Sequence, residues 1–114
     1  MSALAGVRLV TLALNVPGPV AVARLVAEGA TAVKVEPPGG DPAARFARTW
    51  YDTLHHGIEV RPLDLKQFDG RAALARLLAD ADVLVTSHRP SALARLGLDP
   101  ASLRQRHPAL RAHG

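Results

Sequence analysis

The sequence predicts an α/β fold: a Rossmann-like, mostly parallel sheet with flanking helices. Short β-branched apolar runs alternate with stretches of helical period, and Pro/Gly clusters punctuate the joins. The first strand–helix–strand passage takes about thirty residues, the size of a βαβ unit with parallel strands and a right-handed crossover. A chain of 114 residues with 48% hydrophobic content fits one domain and should fold. Aromatic residues make up only 4%, so the core must come from Leu, Val and Ala.

Val7 to Leu14, broken only by Arg8 and Thr11, reads as a buried strand. Asn15-Val16-Pro17-Gly18-Pro19 ends it. Pro19 suits a first helical turn, Val22, Leu25 and Val26 recur at helical spacing, and Gly29 is the stop. Thr31 to Glu36 is the second strand. Ala43 to Thr49 offers one or two helical turns, and the rest of Asp41 to Gly57 has no clear period. Glu59 to Leu65 reads as a strand that Pro62 places at an edge or bulge. Asp69 to Ala81 is the strongest helix, with Leu74, Leu77 and Leu78 on one face, and Asp82 to Thr86 is another apolar strand. Pro90 and Ser91 open a short helix that Gly97 ends. Asp99-Pro100 is an N-cap with proline at the first helical position, opening a helix toward Arg106 that His107-Pro108 closes. Leu110 to His113 begins a further element.

Composition narrows the function classes. The net charge of +4 comes largely from arginine, spread along the chain with no basic stripe and no interleaved aromatics. That argues against nucleic acid, while a phosphate-bearing ligand remains compatible with arginine chemistry. The absence of cysteine excludes disulfides, thiolate metal sites and a cysteine nucleophile, and fits a cytoplasmic setting. The apolar run Leu9 to Leu14 is too short for a signal h-region or a membrane span.

The segment Val33-Lys34-Val35-Glu36-Pro37-Pro38-Gly39-Gly40-Asp41-Pro42 is the most informative. A strand ends in an acidic residue, and prolines and glycines then force an open loop, where α/β sheets bind ligands. Glu36 follows Gly18 by 18 residues, close to the position of a ribose-binding acid, yet the G-x-G-x-x-G fingerprint is missing. The loop from Asn15 to Pro19 opens a helix N-terminus that favours an anion, a property any βα turn shares. His55-His56 could suggest a metal. No carboxylate stands at ligand spacing in sequence, so a solvated loop is the simpler reading and no metal site is assigned. Ser87-His88 could suggest a nucleophile and its base. Sequence neighbours rarely align for that, and a strand end followed by a turn accounts for them.

Five blocks in order resemble the start of the class III CoA-transferases, the CaiB/BaiF family. They are Gly6-Val7-Arg8-Leu9 with Gly18-Pro19; Glu28-Gly29-Ala30 running into Lys34 to Pro42; Leu63-Asp64-Leu65-Lys66 with Gly70-Arg71; Ala81 to Val85 with Arg89-Pro90; and Leu93-Ala94-Arg95-Leu96-Gly97-Leu98. The resemblance implies a large Rossmann-like domain, a small domain, and two chains interlocked as rings. It implies transfer of CoA between an acyl-CoA and a carboxylic acid through an aspartyl anhydride, with a branch that racemises 2-methylacyl-CoA thioesters. By this resemblance residues 1–114 form the N-terminal part of the large, CoA-binding domain, incomplete relative to the full domain and without the small one.

The resemblance also places the CoA contacts. Val16 and Pro17 occupy first-loop positions, Leu63 and Lys66 adenine-side positions, Ser87 and His88 the place of an Asn-Phe pair, and Arg95 that of a CoA-site arginine. Pro37 and Pro38 replace a basic residue found in some members, and Ile58-Glu59-Val60 replace a basic pair. None of the aspartates matches the family nucleophile, so no catalytic residue is assigned. The expectation is a truncated CoA-binding portion, inactive alone and bound to CoA or its thioesters, with no other cofactor. The alternative is a non-catalytic module that docks with a separate chain carrying the catalytic part, and a non-functional remnant is a third reading.

Overall fold

The computed structural model describes residues 3–14 and 17–113. Strands β1 (Arg8–Thr11), β2 (Thr31–Glu36), β3 (Glu59–Pro62), β4 (Val83–Val85) and β5 (Arg111–His113) form one sheet. Its order is β3-β2-β1-β4-β5, and every pairing is parallel. Helices α1 (Pro17–Ala27), α2 (Ala43–Phe46), α3 (Arg48–Leu54), α4 (Phe68–Ala79), α5 (Pro90–Arg95) and α6 (Pro100–Arg106) fill the connections. The predicted α/β architecture is therefore present.

Strand alternation divides the core in two. Leu9 and Ala32 face α1, where they meet Val22, Leu25 and Val26. Val10, Leu12, Val35 and Leu84 face the opposite way, against Leu74 and Leu78 of α4 and Leu98 and Leu103 near α6. Period two in the strands and 3.6 in the helices make each apolar residue face one of these layers. Two glycines permit close approach. A Cβ on Gly18 would lie 2.2 Å from the Ala13 Cβ, and one on Gly70 would lie 2.0 Å from the Asp64 carbonyl oxygen.

The regular elements are shorter at several ends than the sequence suggests. Strand β1 ends at Thr11, and Leu12 and Ala13 stay buried beyond it. The strand β3 ends at Pro62 instead of running to Leu65. The strand lies at the sheet edge, as the proline requires. Helix α1 begins at Pro17, two residues early. The largest difference is α3, which replaces a stretch read as patternless. Its buried face is a single residue, Tyr51, so no apolar period announces it.

Candidate active-site cleft and ion-pair network

The strand order reverses between β1 and β4, the topological switch point at which open parallel sheets bind ligands beyond their carboxyl ends. The segments beyond the two strands are tied together. Leu12 N donates to Val85 O at 2.8 Å, and Leu14 N donates to Ser87 Oγ at 3.2 Å. Beside this junction a cleft of about 390 Å³ opens between Leu12, Leu14, Glu36, Pro37, Leu63, Lys66, His88 and Leu96. The loop of Leu63 to Lys66 is fixed from both sides. Leu63 N donates to Glu36 O at 2.9 Å, Lys66 N to Asp64 Oδ1 at 3.0 Å, and Gly70 lies against the Asp64 backbone.

The cleft is mostly apolar, with one polar atom out of balance. Among the described residues, His88 Nδ1 is the buried side-chain nitrogen or oxygen without a hydrogen-bond partner. Such a group costs about 1–3 kcal/mol until something bonds to it. A polar group of a bound ligand would supply that bond.

Of the residues singled out from the sequence, Leu63, Lys66 and His88 meet in this cleft. Ser87 instead lines an apolar trough of about 600 Å³ beside α1, with Leu9, Leu25, Val83, Val85 and His113. That trough is larger but, among the described residues, carries no acidic or basic side chain other than His113, so the smaller cleft is the better candidate for chemistry. Arg95 is exposed at the end of α5 and is absent from the cleft lining. Val16 lies outside the described residues. Pro17 opens α1, and its side chain lies outside the description too.

Behind the cleft lies a group of polar residues that the sequence reading did not assemble. Lys34, with its side chain 2% exposed, sits on the α1-side face of β2. Its Nζ donates to Asp41 Oδ2 at 2.6 Å, lies 3.3 Å from Glu36 Oε2, and lies 2.7 Å from His55 Nε2. Asp41 Oδ1 accepts from Ala43 N at 3.0 Å, which turns the loop into α2. The Tyr51 hydroxyl donates to Glu36 Oε2, and its ring stacks on His55 with centroids 3.9 Å apart. Burial and the bond to Glu36 raise the Tyr51 phenol well above its ordinary value. Burial also lowers the affinity of His55 for a proton, aided by the nearby ammonium and opposed by its bond to the Tyr51 carbonyl.

His55 is thus corrected from a solvated loop residue to a partner in a buried network, because α3 carries it back over β2. His56 remains exposed. Glu36, Asp41 and His55 bring metal-type donor atoms within 4.8 Å of one another. The Lys34 ammonium already lies among them, so the group is an internal ion-pair network. A signal for it existed in the sequence. Lys34 and Glu36 fall on the same strand face as Ala32, and Tyr51 and His55 are one helical turn apart.

The comparisons with known proteins agree with this architecture. The sequence model of CoA-transferase family III matches residues 4–110. The chain belongs to CoA-transferase family III. It is 33% identical over 116 residues to the cinnamoyl-CoA:phenyllactate CoA-transferase of Clostridium sporogenes, a match covering 92% of this chain and 28% of that protein. The crystal structure of Rv3272 from Mycobacterium tuberculosis superposes with a TM-score of 0.90 at 34% identity, covering 98% of this chain and 32% of that one. Rv3272 is described as a probable fatty acyl-CoA transferase. The mouse alpha-methylacyl-CoA racemase is 36% identical over 107 residues, covering 94% of this chain and 26% of that protein. The chain therefore spans less than a third of the length of these relatives. Among the described residues, no helix is long and apolar enough to cross a membrane.

Proposed function

We propose that residues 1–114 are the N-terminal part of the large domain of a class III CoA-transferase and supply its CoA-binding cleft. The observation that carries this is the unpartnered His88 Nδ1 in an apolar cleft at the switch point, beside Leu63 and Lys66. The apolar walls suit a flat base or a pantetheine arm. The ammonium of Lys66 suits a phosphate, and His88 Nδ1 offers a hydrogen-bonding position to a polar edge. Ser87 contributes by holding Leu14 at the junction. Val16, Pro17 and Arg95 complete the proposed contact set on the family resemblance alone. The ligand is CoA or an acyl-CoA thioester, and the setting is cytoplasmic.

The family reaction requires a carboxylate nucleophile that forms an acyl anhydride before CoA returns. Among the described residues the carboxylates lining the cleft are Asp64, whose Oδ1 accepts from the Lys66 backbone, and Glu36, whose Oε2 is held by Tyr51 and Lys34. We therefore assign these residues binding and no covalent step. The 114-residue chain alone is expected to transfer no CoA.

Isothermal titration of CoA into the chain tests the assignment, with Lys66→Ala, His88→Phe and Arg95→Ala beside it. Binding weakened by Lys66→Ala and His88→Phe supports the cleft. A folded chain that takes up no CoA, or binding indifferent to both variants, refutes it. Transfer of CoA from a thioester to a carboxylate by the purified chain would overturn the inactive reading. The open apolar trough beside α1 favours a second reading, a module that docks with a separate catalytic chain. In that case CoA binding should require the second chain.

A further inference from the structure

Glu36 stands at the meeting of two spaces. It lines the candidate CoA cleft, and it also lines a second hollow of about 530 Å³ between the loop after β2 and helices α2 and α3. How Glu36 is held therefore sets part of the cleft wall. We infer that Lys34, Tyr51 and His55 are positioning residues that clasp Glu36 and the following loop, and that protonation of His55 opens the clasp.

The hydrogen positions follow from the partners. His55 Nδ1 lies 2.7 Å from the Tyr51 carbonyl oxygen, which can only accept, so Nδ1 carries the hydrogen. Nε2 then presents a lone pair, and the Lys34 ammonium donates to it at 2.7 Å. The ammonium has three hydrogens and three partners, Asp41, Glu36 and His55. A proton taken from solvent onto Nε2 would set an N–H against an N–H at that distance, and the contact must separate.

Charged and titratable groups face His55 from each neighbouring element. Lys34 and Glu36 come from β2, Asp41 from the loop, and Tyr51 from its own helix. Arg45, Arg48 and Asp52 line the same hollow. The two carboxylates would welcome an imidazolium, but the ammonium stands at Nε2 and three of their oxygens are already engaged. Glu36 Oε2 serves Tyr51 and Lys34, Asp41 Oδ2 serves Lys34, and Asp41 Oδ1 serves Ala43 N. Protonation at Nε2 therefore displaces Lys34 from that nitrogen. The burial that lowers the proton affinity of His55 agrees with this cost.

The consequence for CoA rests on the proposed cleft, whereas the clasp itself does not, and the test separates them. Long-range ¹H–¹⁵N spectra of the chain with labelled histidine, and ¹³C spectra of the Glu36 carboxyl, are followed as pH falls from neutrality. The expected result is His55 as the Nδ1–H tautomer at neutral pH, with the Glu36 signal moving in step as His55 takes up its proton below about pH 6.5. An Nε2–H tautomer, or a Glu36 signal indifferent to the His55 step, overturns the clasp whatever CoA does. CoA affinity should fall about tenfold across the same step, the equivalent of losing one well-placed anchor. His55→Gln, which keeps an acceptor but does not titrate, should flatten that dependence. Tyr51→Phe, which keeps the ring stack, should weaken binding at every pH. Binding that stays flat with pH in the native chain overturns the positioning role. Absence of CoA binding beside the expected spectra leaves the clasp supported and refutes the CoA cleft instead.

Discussion

Replacing Lys34 by methionine keeps most of the length of the aliphatic stem and removes the ammonium. Three contacts disappear, and the Glu36 and Asp41 carboxylates, with side chains 8% and 0% exposed, are left facing each other without a cation. Breaking one partner out of a buried ion pair costs about 3–5 kcal/mol, chiefly because the remaining charge stays buried. A domain of this size is stable by about 5–15 kcal/mol, so Lys34→Met should remove about a fifth of that or more. The midpoint of thermal unfolding should fall by about 10–25 °C. Urea unfolding is readily followed through Trp50, the only tryptophan in the chain. The double variant Lys34→Met with Glu36→Gln should recover about 1–2 kcal/mol, because one uncompensated carboxylate is gone. A cost below about 1 kcal/mol for Lys34→Met, or strict additivity in the double variant, would refute the account of the network as a coupled buried unit.

Tyr51 is the only tyrosine, so its ionisation can be read directly in the ultraviolet. With the phenol raised by burial and by Glu36, no phenolate should form in the folded chain near pH 10, where free tyrosine titrates. The stabilisation tied to this shift is complete below pH 10 and lost as pH rises above it, so phenolate should first appear together with unfolding. His55 has the opposite sign. Its lowered proton affinity means that stability is fullest above about pH 6.5 and declines as pH falls below it, which thermal melts at a series of pH values will show. Gly70→Ala should destabilise the chain by about 1–3 kcal/mol in urea titrations, since the new Cβ meets the Asp64 backbone rather than a movable side chain. The same change should displace Leu63 to Lys66 and weaken CoA binding. An unaltered melt would show that the α4–loop contact is looser than the geometry states.

Much of the fold was legible because its local signals agree with its tertiary arrangement. Apolar runs of strand length, the Asp99-Pro100 cap and the Leu74–Leu77–Leu78 face all lie where the structure uses them. Asp99 accepts from Ser102 N at 3.2 Å, as an N-cap should. The Leu63-to-Lys66 block and Gly70 were legible as a motif, though their contact was not. Helix α3 was hidden because Arg48-Thr49-Trp50-Tyr51-Asp52-Thr53-Leu54 buries one side chain and so carries no period. His55 was misread because, Tyr51 apart, the groups around it lie 14 to 21 residues away in sequence.

The sequence by itself determined the alternation of strands and helices, the open loop after Glu36 and the family whose motifs surround it. These follow from local composition and spacing, which any contiguous window displays. Only the tertiary structure decided that β1 and β4 are neighbours and that Leu63, Lys66 and His88 share one cleft. It also decided that Lys34 is held by Asp41, Glu36 and His55 together. Such facts depend on which segments the crossovers bring side by side, and a charged residue in a strand looks the same in sequence whether it meets water or a buried partner.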